Sequence, residues 1–131
     1  MAVNNTYYFD ANIILRFLLR DNESQYSVIE RKLNEIKKSG AVIVVLGEVV
    51  AECVYVMEKI YKIPRLNIGV SLAEFLKTRD VFCTEKDVLI GTLNDYSLLS
   101  LSYVDVLLMQ TIKKRGGKLI TFDKKLLAKS K

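Results

Sequence analysis

The spacing of apolar residues changes several times along this chain, and each change marks an element. Residues 6–10 (TYYFD) group three aromatics in a strand-like run, and Ile14, Phe17 and Leu18 follow at helical spacing. A second helix is predicted from about Asn22 to Lys38, where Ile29, Leu33 and Ile36 form one stripe among charges, and Gly40 stops it. Residues 41–45 (AVIVV) are a short continuous apolar run, the pattern of a strand covered on both faces. Between Leu46 and Lys62, Val49, Cys53, Val56 and Ile60 recur at helical intervals, and Pro64 separates this helix from one carrying Ile68, Leu72, Phe75 and Leu76. Residues 81–83 make a brief strand. Thr84 with Asp87 forms a capping-box start for a helix to about Leu98, and Ser102 with Asp105 repeats that spacing before a helix closed by bases and Gly116. Residues 118–122 (KLITF) are the last predicted strand, with Asp123 directly after it.

Alternating strands and helices predict an α/β fold with a mainly parallel sheet wound by right-handed crossovers. Ligands of such sheets bind outside the carboxyl ends of the strands, where Asp10 and Asp123 would both stand. At 131 residues with 50% hydrophobic content, the chain is long enough for one core and one domain, residues 1–131, and too apolar for disorder. No apolar run approaches the roughly 18 residues of a membrane span, and residues 1–10 lack the basic start and apolar centre of a signal peptide. Cys53 and Cys83 each lie in an apolar stretch and read as core residues in a reducing compartment, so a cytoplasmic location is expected.

The composition holds no histidine, which excludes Ser-His-Asp triads, Cys-His nucleophiles, histidine-based RNA cleavage and His-containing zinc sites. What remains is a set of acids. Each has a plain structural explanation: Asp10, Asp105 and Asp123 suit helix starts, and Glu48 and Glu52 suit a helix's first turns. Taken together they converge, because helix starts that follow parallel strands point at one edge of the sheet. Two carboxylates about 4 Å apart repel by about 4 kcal/mol at an effective dielectric near 20, so a cluster calls for protons or a cation. Oxygen-only ligation favours Mg²⁺ or Mn²⁺, which polarises a phosphoryl oxygen and activates water. Neither a P-loop nor a GxGxxG motif is present, and Asn12 stands where an aspartyl phosphatase carries its second Asp.

Three segments carry a family resemblance: FDANIILRFLLRD (residues 9–21), VVAECVYVMEKIYKIPR (49–65) and LSYVDVLLMQTIKKRGGKLITFDKKL (101–126). In this order and spacing they resemble the PIN-domain family, and within it the VapC-type toxins of toxin-antitoxin pairs. The resemblance implies a three-layer α/β/α fold with a central parallel sheet of four or five strands, and a magnesium- or manganese-dependent endoribonuclease. It implies that Asp10, Glu52 and Asp105 ligate the metal and that Asp123 completes the cluster directly or through water. Asn12 would position Asp10, and the Thr121 hydroxyl would bond a carboxylate or water around the metal. Glu48 lies one turn before Glu52 on the same face and is the fallback ligand. Only 8 residues follow Asp123, where many members add a strand, so that edge is expected to be absent.

The same resemblance implies an RNA substrate, a cognate antitoxin and a homodimer. Of the 20 Lys and Arg, 8 fall between Lys113 and Lys131 against the single acid Asp123, within a net charge of +5. That bias suits a polyanion, and Arg16, Arg20 and Lys124 are the bases expected nearest the acids. The competing expectation is a non-catalytic protein- or nucleic-acid-binding module in which the acids are helix caps and nothing more.

Overall fold

The computed structural model describes residues 5–131. Its sheet is made of β1 (Thr6–Tyr8), β2 (Val42–Val44) and β3 (Val81–Phe82), all parallel, in the order β1-β2-β3. Thr6 pairs with Val42 and Tyr8 with Val44, while Ile43 and Val44 pair with Val81 and Phe82. The apolar run of residues 41–45 therefore supplies the central strand, and Ala41, Ile43 and Val45 are buried to 2% exposure or less.

The helices follow the predicted stripes closely. They are α1 (Ala11–Leu19), α2 (Glu23–Ser39), α3 (Gly47–Tyr55), α4 (Arg65–Leu76), α5 (Lys86–Leu98), α6 (Tyr103–Arg115) and α7 (Lys124–Lys129). Ile29 and Ile36 of α2 turn inward, and Gly40 ends that helix in the left-handed region at φ 73°. The predicted helix over 46–62 is interrupted: α3 gives way to a π-helical turn, Val56–Ile60, where the Tyr61 N–H donates to the Val56 carbonyl at 3.1 Å. Helices α4 and α5 make the closest helix pair, because Gly69 lets them approach. A Cβ there would stand 2.6 Å from the Leu93 carbonyl oxygen and 2.8 Å from Ser97 Cβ.

One main core joins Ile14, Ile43, Val50, Cys53, Ile68, Leu72, Leu93 and Tyr96 between the sheet and helices α1, α3, α4 and α5. A second, small cluster of Leu101, Val106 and Leu126 ties α7 to the start of α6. No helix among the described residues is long and apolar enough to cross a membrane. Residues 1–4, part of the segment read for a targeting signal, lie outside the described residues.

Two expectations are corrected. The sheet has three strands among the described residues, not four or five, because residues 118–122 do not join it. Gly116 and Gly117 leave α6 at φ 81° and 112°, Leu119 packs on the small cluster, and Ile120 and Phe122 are fully exposed. The Thr121 hydroxyl accepts the Asp123 N–H at 3.0 Å, a side-chain bond that bends the chain and competes with a strand ladder. Strand propensity describes fitness for a half-buried pleated surface, and this segment has no neighbouring strand to supply one. The Thr84–Asp87 capping box also does not form. Helix α5 begins after Glu85, which sits at φ 56° with no side-chain cap. Tertiary ion pairs take precedence there: Arg115 of α6 pairs with Glu85, and Lys114 with Asp87 at 2.8 Å.

Candidate active site

Asp10 stands two residues beyond β1 and caps α1, its Oδ1 accepting the Ile13 N–H at 3.0 Å. Its second carboxylate oxygen is left for another partner. Glu52 lies on α3, exposed to solvent, next to Cys53, which is fully buried against Ala11. The Cys53 thiol is pushed up to about 12, first by burial, then by the charge of Glu52, then by that of Asp10. Both carboxylates therefore bear on one buried sulfur beside the carboxyl end of β1. Glu48 lies one turn earlier on α3, in its first turn.

Asp105 occupies the first turn of α6, where Ser102 Oγ accepts the Asp105 N–H at 3.2 Å. Two residues before it, Tyr103 is buried, with a hydroxyl that has no hydrogen-bond partner among the described residues. Burial raises the Tyr103 phenol, and the thiols of Cys83 and Cys53 raise it further. Tyr103 thus connects the start of α6 to the floor under Asp10 and Glu52. Asp123 is exposed and caps α7, accepting the Leu126 N–H at 3.0 Å, and Leu126 packs on Val106, the residue after Asp105. So Asp10 and Glu52 both lie next to Cys53, while Asp105 and Asp123 stand at the starts of two helices, α6 and α7, that pack together through Val106 and Leu126.

Among the described residues, no three Asp, Glu, Cys or His side chains stand close enough to cage a metal ion. The chemistry of the donors nonetheless suits Mg²⁺, which usually keeps several waters and takes one or two protein carboxylates. Asp10, with one oxygen not engaged by the α1 cap, and the exposed Glu52 are carboxylates of that kind.

The supporting residues stand elsewhere than expected. Asn12 is exposed and lines a recess of about 280 Å³ with Arg16, Ser24 and Gln25, and it makes no hydrogen bond to Asp10 among the described residues. The Thr121 hydroxyl holds the backbone of Asp123. Arg16 is committed to Asp21 at 3.2 Å and to the Tyr61 hydroxyl at 2.7 Å, while Arg20 pairs with Glu23 and lies 4.2 Å from the centre of the Tyr26 ring. Lys124, the first residue of α7, is exposed. A groove of about 500 Å³ between α1 and α4, lined by Leu18, Met57, Ile63 and Val70, is apolar and contains none of the acids.

Sequence reasoning missed a buried network beside this site. The Tyr96 hydroxyl donates to Glu58 Oε1 at 2.9 Å, and the Arg65 guanidinium lies 3.8 Å from the Tyr96 ring centre and donates to the Tyr96 carbonyl at 3.1 Å. The sequence offered only a faint signal, Glu58 and Arg65 lying on either side of the single proline.

A family model for the PIN domain matches residues 7–131, almost the whole described chain. The chain belongs to the PIN domain family. PIN domains are typically nucleases that use divalent metals. In this PIN domain the parallel sheet places β1 and the acid that follows it at the carboxyl edge of the strands. No curated protein and no solved structure matches it.

Proposed function

We propose that this PIN domain is a Mg²⁺- or Mn²⁺-dependent endoribonuclease and the toxin of a toxin-antitoxin pair. The observations that carry the reading are the PIN-domain match over residues 7–131 and the place of Asp10 just beyond the carboxyl end of β1. In this reading Asp10, Glu52 and Asp105 would hold the ion, their side chains drawing in from the separate positions they take among the described residues, and Asp123 would complete the acidic set directly or through water. A divalent ion bound there would polarise the scissile phosphate and lower the pKa of a water.

The protein's own groups supply orientation. The α1 cap holds one oxygen of Asp10 and leaves the other for the ion, and Ser102 fixes the turn that presents Asp105. Thr121, having accepted the Asp123 N–H, retains its hydroxyl proton for a carboxylate or water. With no histidine to activate a 2′-hydroxyl, attack by water in line releases a 3′-hydroxyl. An antitoxin and a second copy of the chain are the proposed partners.

The test is incubation with structured RNA and Mg²⁺ or Mn²⁺, followed by end-group analysis. Wild type should cut and leave 3′-hydroxyl ends. Asp10→Asn and Asp105→Asn should lose most cleavage while staying folded, since asparagine can still cap α1 and Ser102, not Asp105, caps α6. Cleavage that survives EDTA would sink the metal mechanism. The helix caps made by Asp10 and Asp123 favour a second reading, a binding module without catalysis. Manganese titration separates the two: a metal site raises the melting temperature, and a pure cap does not.

A further inference from the structure

The basic end of the chain is divided by the fold. Lys114 and Arg115 are neutralised by Asp87 and Glu85, and the Lys125 ammonium donates to Ser100. Lys113, Lys129 and Lys131 are different. They converge from α6, from α7 and from the residues after it on a pocket of about 420 Å³, and none has an ion pair among the described residues. Asp95, the one acid on its wall, accepts the Gln110 side-chain N–H at 2.5 Å.

Helix dipoles account for a single lysine at the end of α6 and another at the end of α7. They do not account for three lysines lining one concavity, whose like charges favour an anion between them. Both helices present their negative ends here, so an anion would be held by the lysines alone. No aromatic residue lines the pocket, so bases would find no stacking surface there. A second recess of about 290 Å³ shares Gln110 and Lys113, and its wall also carries the paired Lys114 and Asp87. Lys113 stands eight residues along α6 from Asp105, about 12 Å at 1.5 Å per residue.

We propose that this lysine pocket binds the phosphodiester backbone of single-stranded RNA without regard to sequence, away from the acids. The choice of RNA over other polyanions rests on the nuclease reading above. Contacts to phosphate fix the position of a strand and leave selection to other surfaces.

The experiment is fluorescence anisotropy of labelled single-stranded RNA, of mixed sequence and of poly-U, across a salt series in EDTA. The variant K113Q/K129Q/K131Q is compared with wild type and with R31Q/K37Q/K38Q, which removes the same charge from the exposed face of α2. Removing three contacts should flatten the logarithmic salt slope by about 2, at about 0.7 per phosphate on a single strand, for both RNAs alike. The α2 variant should bind as wild type does. Thermal melting checks folding, and Lys113→Gln alone serves if the triple variant melts early. Unchanged binding by the pocket variant, equal loss in the α2 variant, or no RNA binding by wild type would overturn the proposal. Adding Mn²⁺ afterwards tests the other reading: RNA bound through these lysines but never cut would remove the nuclease assignment and leave the pocket standing.

Discussion

Leu72 of α4 and Leu93 of α5 are 1% and 0% exposed, whereas Ile120 and Phe122 of the segment after α6 are 98% and 106% exposed. These side chains have similar hydrophobicity and opposite fates. The two leucines lie on helices that Gly69 allows into close contact, with the sheet behind them. The two residues of the KLITF segment lie on an extended stretch with no strand beside it. Apolar character drives burial only where a second surface exists to take the area out of water.

Truncating each region sharpens that contrast. Leu93→Ala should cost about 2 to 5 kcal/mol, because the rigid core around it cannot close on the gap. Urea unfolding should register it as a shift of the whole transition. Leu126→Ala should cost less, about 2 kcal/mol, since a cluster of only three buried side chains is freer to close around the gap than the main core. Its signature should be local, with faster amide exchange in α7 and unchanged exchange in α4 and α5. Equal protection losses in both regions would show that the small cluster is part of the main core.

Tyr96→Phe should cost about 1 kcal/mol by removing the donor to Glu58. It should also change the response to pH. Burial, and then the Glu58 carboxylate, raise the Tyr96 phenol above its ordinary value near 10. The folded protein therefore keeps a proton that the unfolded chain gives up. This stabilisation is complete below pH 10 and is lost as pH rises toward the folded value. Melting followed from pH 9 upward should fall less steeply for Tyr96→Phe than for wild type. The smallest effect belongs to Phe122→Ser, expected within about 0.5 kcal/mol of wild type. A loss several times larger would mean that Phe122 is covered in solution.

The helices were legible because their stripes repeat over many residues: α2 was placed within a residue at each end, and the caps at Asp10, Ser102 and Asp123 are those the side chains suggested. The capping box at Thr84 was not, since ion pairs from α6, remote in sequence, set the start of α5 instead. In the candidate site, the place of Asp10 at the start of α1, just beyond β1, was legible from the strand-then-helix pattern of residues 6–18. The commitment of Arg16 to Asp21 and Tyr61 was not, because a long flexible cation takes whichever anion the fold brings to it.

By itself, then, the order of residues determined the helices, the central strand and the absence of imidazole chemistry, all of which depend on local pattern or on composition. Tertiary structure decided whether residues 118–122 became a strand, which bases were neutralised and which were left facing a common pocket. Those outcomes depend on partners distant in the chain, and periodicity along a single element does not encode the distance between two of them.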